Sequence, residues 1–352
     1  MPATKPPQLL RSAADVSGPL FVGIDLGGTN IKAALVDNSG QLVAFHTEPT
    51  NVTHGPDDAA VRMGQSVGLL ADCVGRDRSE ISAVGLGTPG PQNLSTGVLL
   101  KPGNFPGWEN FPIRERVAEH CGHNVTYAND ATAAAYGEFW VGSGRDDSSL
   151  VLLTLGTGVG GGIIIHDMTI EGAHSHGAEC GHIIVDSSPS ARICPCGQPG
   201  HLEAYASATA LKARAAERFE DGATGSLADA VAQGELITPI LIGRHAEQGD
   251  AVAMDLLMET ADWLAVGIVT LMHTIDPSAI ILGGAMTFGR EDHPVGRAFL
   301  DRIDTCVRRH TFPTLAEKTA IRFATLGGNA GSIGAAGLGR LAWKQHNTPM
   351  HA

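Results

Sequence analysis

No block of lysine and arginine occurs in this 352-residue sequence, where 24 basic side chains face 37 acidic ones and the net charge is −13. Neutralising a nucleic-acid backbone takes clustered cations, so DNA and RNA are excluded as partners. An apolar leader is missing as well: residues 1–18 carry scattered charges and no hydrophobic core of the secretory kind. Nor does any run read as a membrane helix. The uncharged stretch 148–166 is interrupted by five glycines between Gly156 and Gly162, which suits two buried strands around a turn. With six cysteines, no leader and no disulfide-like spacing, the sequence fits a reducing cytoplasm. Cys73, Cys121 and Cys306 stand apart and read as small buried side chains. Cys180, Cys194 and Cys196 sit beside histidines and need another account.

Glycine, by contrast, is abundant: 45 residues, or roughly 13% against about 7% on average. Tight turns or close backbone approaches to a ligand are therefore expected. The length points to two domains, and 43% hydrophobic with 17% charged residues is a globular composition.

After a proline-rich segment (1–19), expected to be frayed, residues 20–36 (LFVGIDLGGTNIKAALV) read strand, glycine turn, strand. The spacing then predicts a helix over 57–74 and a strand over 81–87 ending in Gly87-Thr88-Pro89-Gly90. A helix over 114–121 and a strand over 125–128 follow, the latter running into Asn129-Asp130 and an alanine-rich helix, 131–140. The opening pattern then recurs. Residues 150–165 (LVLLTLGTGVGGGIII) lie 129 positions after 21–36, with Thr154 opposite Asp25. A supersecondary unit repeated at domain-sized spacing implies duplication around a shared cleft. Beyond it come a His/Cys-rich loop (173–203), helices over 202–219 and 251–275, a strand over 279–282 and a small-residue helix from 330. The expected division is an N-terminal lobe (20–128) completed by helix 330–345, and a second lobe (129–329) carrying the loop.

Three motifs carry chemistry. In Asp25-Leu26-Gly27-Gly28-Thr29-Asn30, glycines let backbone N–H groups approach phosphate oxygens and Asp25 can hold a metal ion or its waters; a plain hairpin uses the same residue types. Gly156-Thr157-Gly158-Val159-Gly160-Gly161 matches G-x-G-x-x-G, but the β-branched run Ile163-Ile164-Ile165 follows it where a dinucleotide site needs a helix. A phosphate-cradling hairpin fits better, and no Walker motif is present. Asn129-Asp130 precedes a helix, where both types cap well; a carboxylate at a junction between lobes can also take the proton of a hydroxyl attacking phosphorus. The densest cluster is Glu179-Cys180-Gly181-His182 with Cys194-Pro195-Cys196-Gly197-Gln198-Pro199-Gly200-His201-Leu202-Glu203. Cys-x-Cys with flanking histidines has zinc-ligand chemistry, and His182, Cys194, Cys196 and His201 make a Cys₂His₂ set.

These motifs together resemble the ROK sugar kinases, of the hexokinase/actin-like ATPase fold, over residues 20–343. The resemblance implies an α/β protein of duplicated actin-like (ribonuclease H-like) domains facing a central cleft. It implies Asp130 as catalytic base and Asn129, Asn104, Thr88, Gly90, Glu179, His182 and Glu203 as sugar contacts. Asp25, Gly27, Gly28, Thr29, Asn30, Lys32, Gly156, Thr157 and Gly158 would face the phosphates, with Gly283 and Gly284 on the adenosine side. His201 stands where the family usually has cysteine; imidazole also binds zinc. The implied activity is ATP- and Mg²⁺-dependent phosphorylation of the 6-hydroxyl of glucose by a homodimer or homotetramer with structural zinc. N-acetylmannosamine or N-acetylglucosamine are the neighbouring substrates. A sugar-responsive repressor would need a helix-turn-helix unit before Phe21, for which about twenty residues are too few. An actin-like chaperone or filament would have no use for Glu179, His182 and Glu203.

Overall fold

The structure is a computed structural model, describing residues 6–12, 16 and 18–347. Part of the segment expected to be frayed is ordered into a sheet. Strand β1 (Gln8–Leu9) pairs antiparallel with Phe45 and Ala44, and Arg11 bonds Asp37 Oδ2 at 2.7 Å; residues 1–5, 13–15 and 17 lie outside the described residues. The apolar run that follows is β2 (Leu20–Leu26), buried at every position except Asp25, as a strand covered on both faces should be. It pairs antiparallel with β3 (Asn30–Asp37), which pairs with β4 (Leu42–Pro49). Helix α1 (Pro56–Cys73) starts with proline in its first turn and Asp57 and Asp58 near its N-terminus, both suited to that end. Its Ala59, Met63, Val67 and Leu70 form the buried stripe.

Strand β5 (Ile81–Thr88) joins β2 in parallel. After the small ribbon β6 (Gln92–Asn93) and β7 (Val98–Leu99) and helix α2 (Ile113–Cys121), β8 (Val125–Asn129) adds in parallel to β5 and runs into α3 (Asp130–Trp140). The repeat opens with β9 (Ser149–Leu155), β10 (Val159–Ile165) and β11 (Met168–Thr169). Next come α4 (Glu203–Ala206), α5 (Ala208–Glu220), α6 (Ser226–Ala232), α7 (Pro239–Glu247) and α8 (Ala251–Ile275). Strand β12 (Ala279–Gly284), α9 (Pro294–His310), α10 (Pro313–Lys318), β13 (Ala320–Phe323) and α11 (Ala330–Asn347) complete the described chain.

Both large sheets have one plan. Their orders are β1-β4-β3-β2-β5-β8 and β11-β10-β9-β12-β13, and β12 runs parallel to both β9 and β13 as β5 does to β2 and β8. The duplication read from the glycine turns is thus a duplication of sheet topology. Two compact units result: residues to 146, 162–178 and from 325, and residues 147–161 with 179–324. The division expected near residues 128–131 falls elsewhere, because α3 stays with the first sheet. Its reason is α11. A Cβ at Gly334 would lie 1.6 Å from the Ala133 carbonyl oxygen, and one at Gly137 would lie 2.6 Å from that of Ala330. The same helix lies on the sheet, where a Cβ at Gly23 or Gly85 would lie 1.8 Å from the Ser332 or Ala335 oxygen.

The single helix expected over 202–219 is broken at Ser207, which is extended and caps α5 through Ala210 N–H at 3.1 Å.

The α11 contact is directly testable. Gly85→Ala places a methyl group inside backbone and should cost about 3 kcal/mol or more. Urea unfolding should show a clearly lower midpoint; an unchanged midpoint would contradict this packing.

Candidate active site

In the first unit, β2 delivers Asp25 to the glycine turn. Gly27 N–H donates to Asn30 O at 3.0 Å, and Thr50 holds the turn from behind. The Thr50 hydroxyl donates to Gly27 O at 2.6 Å and its N–H to Thr29 O at 2.9 Å. Gly28, Thr29 and Asn30 remain exposed, leaving their backbone open to an anionic ligand. Beside them runs the loop 103–108: a Cβ at Gly28 would be 3.8 Å from Asn104 Cβ. Asn104 is exposed while Phe105 and Trp108 anchor the loop in the core.

Asp25 faces Lys32 across the β2–β3 pair, and Lys32 Nζ donates to Gly328 O at 2.8 Å. Burial lifts the Asp25 carboxyl from 3.8 to about 6, the negative charge of Asp130 adds to this, and Lys32 opposes it. Two carboxylates that feel each other make a site for a cation or a proton. Asp130 begins α3, at the end of a helix that attracts negative charge. Asn129 Oδ1 caps the helix by accepting Ala131 N–H at 2.9 Å and Thr132 N–H at 3.3 Å. Its Nδ2 points elsewhere, 3.7 Å from where a Gly90 Cβ would be. Capping therefore uses the oxygen end of the amide and not the nitrogen end. Thr88 is buried, with its hydroxyl 2.9 Å from Tyr127 Oη and 3.0 Å from the Gln92 side-chain amide.

In the second unit the β9–β10 hairpin, followed by a strand and not a helix, is the second glycine turn. Gly156 N–H donates to Gly158 O at 3.0 Å, while the start of α5 grips the turn through Ala208 N–H to Gly156 O and Thr209 Oγ1 to Thr157 O, both at 2.8 Å. Glu203 presses on it too. Its Oε2 accepts Val159 N–H at 2.9 Å, and a Cβ at Gly158 would lie 2.2 Å from that oxygen. A Cβ at Gly181 would lie 2.0 Å from Val159 O, so the turn carrying Glu179 and His182 packs on the same hairpin. The glycines of this turn and the three candidate sugar contacts of this unit are one packed assembly.

That assembly includes the four predicted metal ligands. One ligand atom each from His182, Cys194, Cys196 and His201 lies within 4.8 Å of all the others. His182 Nδ1 is 3.3 Å from His201 Nδ1 and 3.8 Å from Cys194 Sγ, and Cys196 Sγ is 3.2 Å from His201 Nδ1. A tetrahedral zinc ion with bonds of about 2.0–2.3 Å spaces its ligand atoms by about 3.3–3.8 Å. These three spacings match that geometry, two of them made by His201. Cys180, buried beside Glu179, is outside the group; burial pushes its thiol up to about 12. His176 Nδ1 turns instead to the His174 carbonyl at 2.6 Å.

Gly283 and Gly284 end β12. Gly284 has φ +89°, and a Cβ there would be 2.4 Å from Leu155 O. Next to this strand end is a cavity of about 320 Å³ lined by Pro239, Ile240, Ala285, Thr287 and Phe288.

The ROK family profile matches residues 21–341. The chain belongs to the ROK family. It is 35% identical over 332 residues to a glucokinase of Streptomyces coelicolor, covering 91% of this chain and 98% of the relative. A ROK hexokinase structure from Thermus thermophilus matches with TM-score 0.79 at 30% identity, covering 93% of this chain and 99% of that one. A ROK family glucokinase from Streptomyces griseus, in complex with glucose and AMPPNP, matches with TM-score 0.74 at 33% identity over 92% of this chain and 99% of that one. The fold is accordingly the actin-like ATPase fold of the ROK hexokinases.

Sequence reasoning about this ROK chain missed Thr50, Gln92, Thr209 and the cavity residues Ile240 and Phe288. Each acts through a tertiary contact and sits outside any motif, so no local signal marks it.

The raised Asp25 pKa gives a signed prediction. With a folded value of about 6 above 3.8, its contribution to stability is fully present below pH 4 and lost as pH rises through 6. Asp25→Asn should therefore stabilise the ligand- and Mg²⁺-free protein above pH 6, by on the order of 3 kcal/mol, and hardly at all near pH 4. Melting temperatures at the two pH values check this; an equal effect at both would refute the buried-carboxylate account.

Proposed function

We infer that this protein is a glucokinase that transfers the γ-phosphoryl group of ATP to the 6-hydroxyl of glucose. The observation that carries the reading is the pair of carboxylates, Asp130 at the α3 N-terminus and Asp25 beside the glycine turn, with the charge of Asp130 raising the Asp25 carboxyl. Asp130 takes the proton of the 6-hydroxyl while that oxygen attacks the γ-phosphorus. The bond from phosphorus to the β–γ bridging oxygen breaks, and ADP leaves. Asp25 would hold the water shell of a Mg²⁺ ion accompanying the nucleotide, which when bound would supply neutralisation of phosphate charge.

Asn129 Nδ2, Asn104, Thr88, Gly90, Glu179, His182 and Glu203 are the sugar contacts in this reading. The two glycine turns, with Thr29, Asn30, Lys32 and Thr157, take the phosphates. The cavity beside Gly283 and Gly284, with Phe288 and Ile240 in its wall, takes the adenine ring. His182, Cys194, Cys196 and His201 would together hold a zinc ion with protein ligands alone, and such an ion would fix the loop and supply no transfer chemistry. His182 would bind it through Nδ1, which would leave Nε2, 4.0 Å from Glu179 Oε2, for a sugar hydroxyl.

The test is ADP release with glucose, N-acetylmannosamine and N-acetylglucosamine offered separately with ATP and Mg²⁺. Glucose should be turned over with the highest kcat/KM. Asp130→Asn should lose about 10²–10⁴-fold in kcat while still binding glucose. If Asp130 serves only as a negative charge in the first turn of α3, the same variant would lose about 0.3–1 kcal/mol of stability and keep its turnover.

Metal analysis of untagged protein purified without chelator should give about one zinc per chain. Cys196→Ser should lower that occupancy and raise the KM for glucose, leaving the KM for ATP nearly unchanged. Full-length protein free of zinc yet equally active would remove the metal from this account.

A further inference from the structure

We propose that residues 50–52, locked by Arg62, are a bracket that holds the phosphate turn and the Asn104 loop in fixed register, making Thr50, Arg62 and Trp108 positioning residues for phosphoryl transfer. The proposal rests on the kinase reading above for its functional meaning, and on hydrogen bonds within the first unit for its geometry.

None of the three residues belongs to a motif. Thr50 is fully buried. It supplies two of the bonds that hold the turn: hydroxyl to Gly27 O at 2.6 Å and N–H to Thr29 O at 2.9 Å. Two residues later, Val52 O accepts the indole N–H of Trp108 at 3.0 Å, and buried Trp108 packs on Phe105 at 4.9 Å between ring centroids. The loop presenting Asn104 is thereby tied to the strand of chain that grips the turn. Between them Asn51 has φ 51° and ψ 53°, a left-handed conformation that asparagine tolerates. It lets Thr50 face one target and the Val52 carbonyl the other.

The bracket needs an anchor of its own, and Arg62 on α1 provides it. Its Nη2 donates to Thr50 O at 2.5 Å and its Nη1 to Pro49 O at 2.8 Å. Nε donates to Asp58 Oδ2 at 2.8 Å, and Nη1 lies 3.1 Å from Glu48 Oε2. A planar guanidinium bonded on both edges cannot rotate freely, so it fixes the backbone it bonds. Lysine would offer no such fork.

Steady-state kinetics on three variants separates positioning from simple support. Thr50→Val keeps the shape and removes the hydroxyl, leaving Gly27 O without that donor. Its KM for ATP should rise about tenfold at an unchanged KM for glucose, and Thr50→Ser should restore the wild-type value. Trp108→Phe removes the indole N–H and should raise the KM for glucose without touching that for ATP. If every variant merely melts earlier with both KM values unchanged, the bracket is structural and the proposal falls. It falls equally if Thr50→Val moves both KM values together. Hydrogen exchange keeps the geometry testable should no hexose support turnover, an outcome that would sink the kinase reading alone. The amides of residues 27–30 should exchange faster in Thr50→Val than in wild type, and unaltered exchange overturns the bracket.

Discussion

The architecture depends on one contact type, backbone against backbone, made by α11. Glycine inside a helix is unfavourable by about 1 kcal/mol relative to alanine, yet α11 carries Gly331, Gly334, Gly337 and Gly339. The offset is proximity. With glycines on the helix and at positions 23, 85 and 137 opposite, the elements approach until carbonyl oxygens occupy the places of missing methyl groups. That brings the start of α11 beside Asp25, where a Cβ at Gly331 would lie 2.8 Å from the carboxylate. It also carries residues 325–326 to Glu138. This buried carboxylate accepts Leu326 N–H at 2.7 Å and Ser143 N–H at 2.8 Å, so a charge inside the unit is satisfied by the segments that must be held.

The second unit reaches its site by another route. Its glycines at 158 and 181 make room for Glu203 and for Val159 O, and the metal group completes the loop that no helix or long strand supports. Were the His182, Cys194, Cys196 and His201 cluster to hold zinc, two thiolates would balance its two charges and the site would be neutral. A third thiolate would make it an anion beside Glu203, whose Oε1 lies 3.7 Å from Cys194 Sγ. Imidazole at that position would spare Glu203 an added like charge.

Much of this was legible because local signals and tertiary roles coincide. The strand–glycine–strand pattern at 20–36 and 150–165 predicted both sheet centres, and Asn129-Asp130 marked the β8–α3 junction. The metal group assembles from the residues its Cys-x-Cys and histidine spacing singled out. Other features were hidden for physical reasons. The boundary slipped from 128–131 because glycine-mediated contact between α3 and α11 cannot be seen from either segment alone. Helix 202–219 broke at Ser207 because Ala208 N–H serves the hairpin. Helix α9 was passed over despite its buried Val295, Phe299, Ile303 and Val307, a spacing that periodicity alone would have caught.

The placement of α11 has a consequence for the order of events during synthesis. The first unit takes its sheet from residues before 130 and its covering helix from 330–347. At about 5–20 residues per second, α11 follows α3 from the ribosome by roughly 10–40 s. Through that interval β2 and β5 have no helix on their glycine face. The second unit, by contrast, draws most of its elements from the continuous stretch 179–324 and can close while α11 is still being made. Folding of the nascent chain is thus ordered from the middle outward, and the first unit is the one a chaperone would meet with its core open.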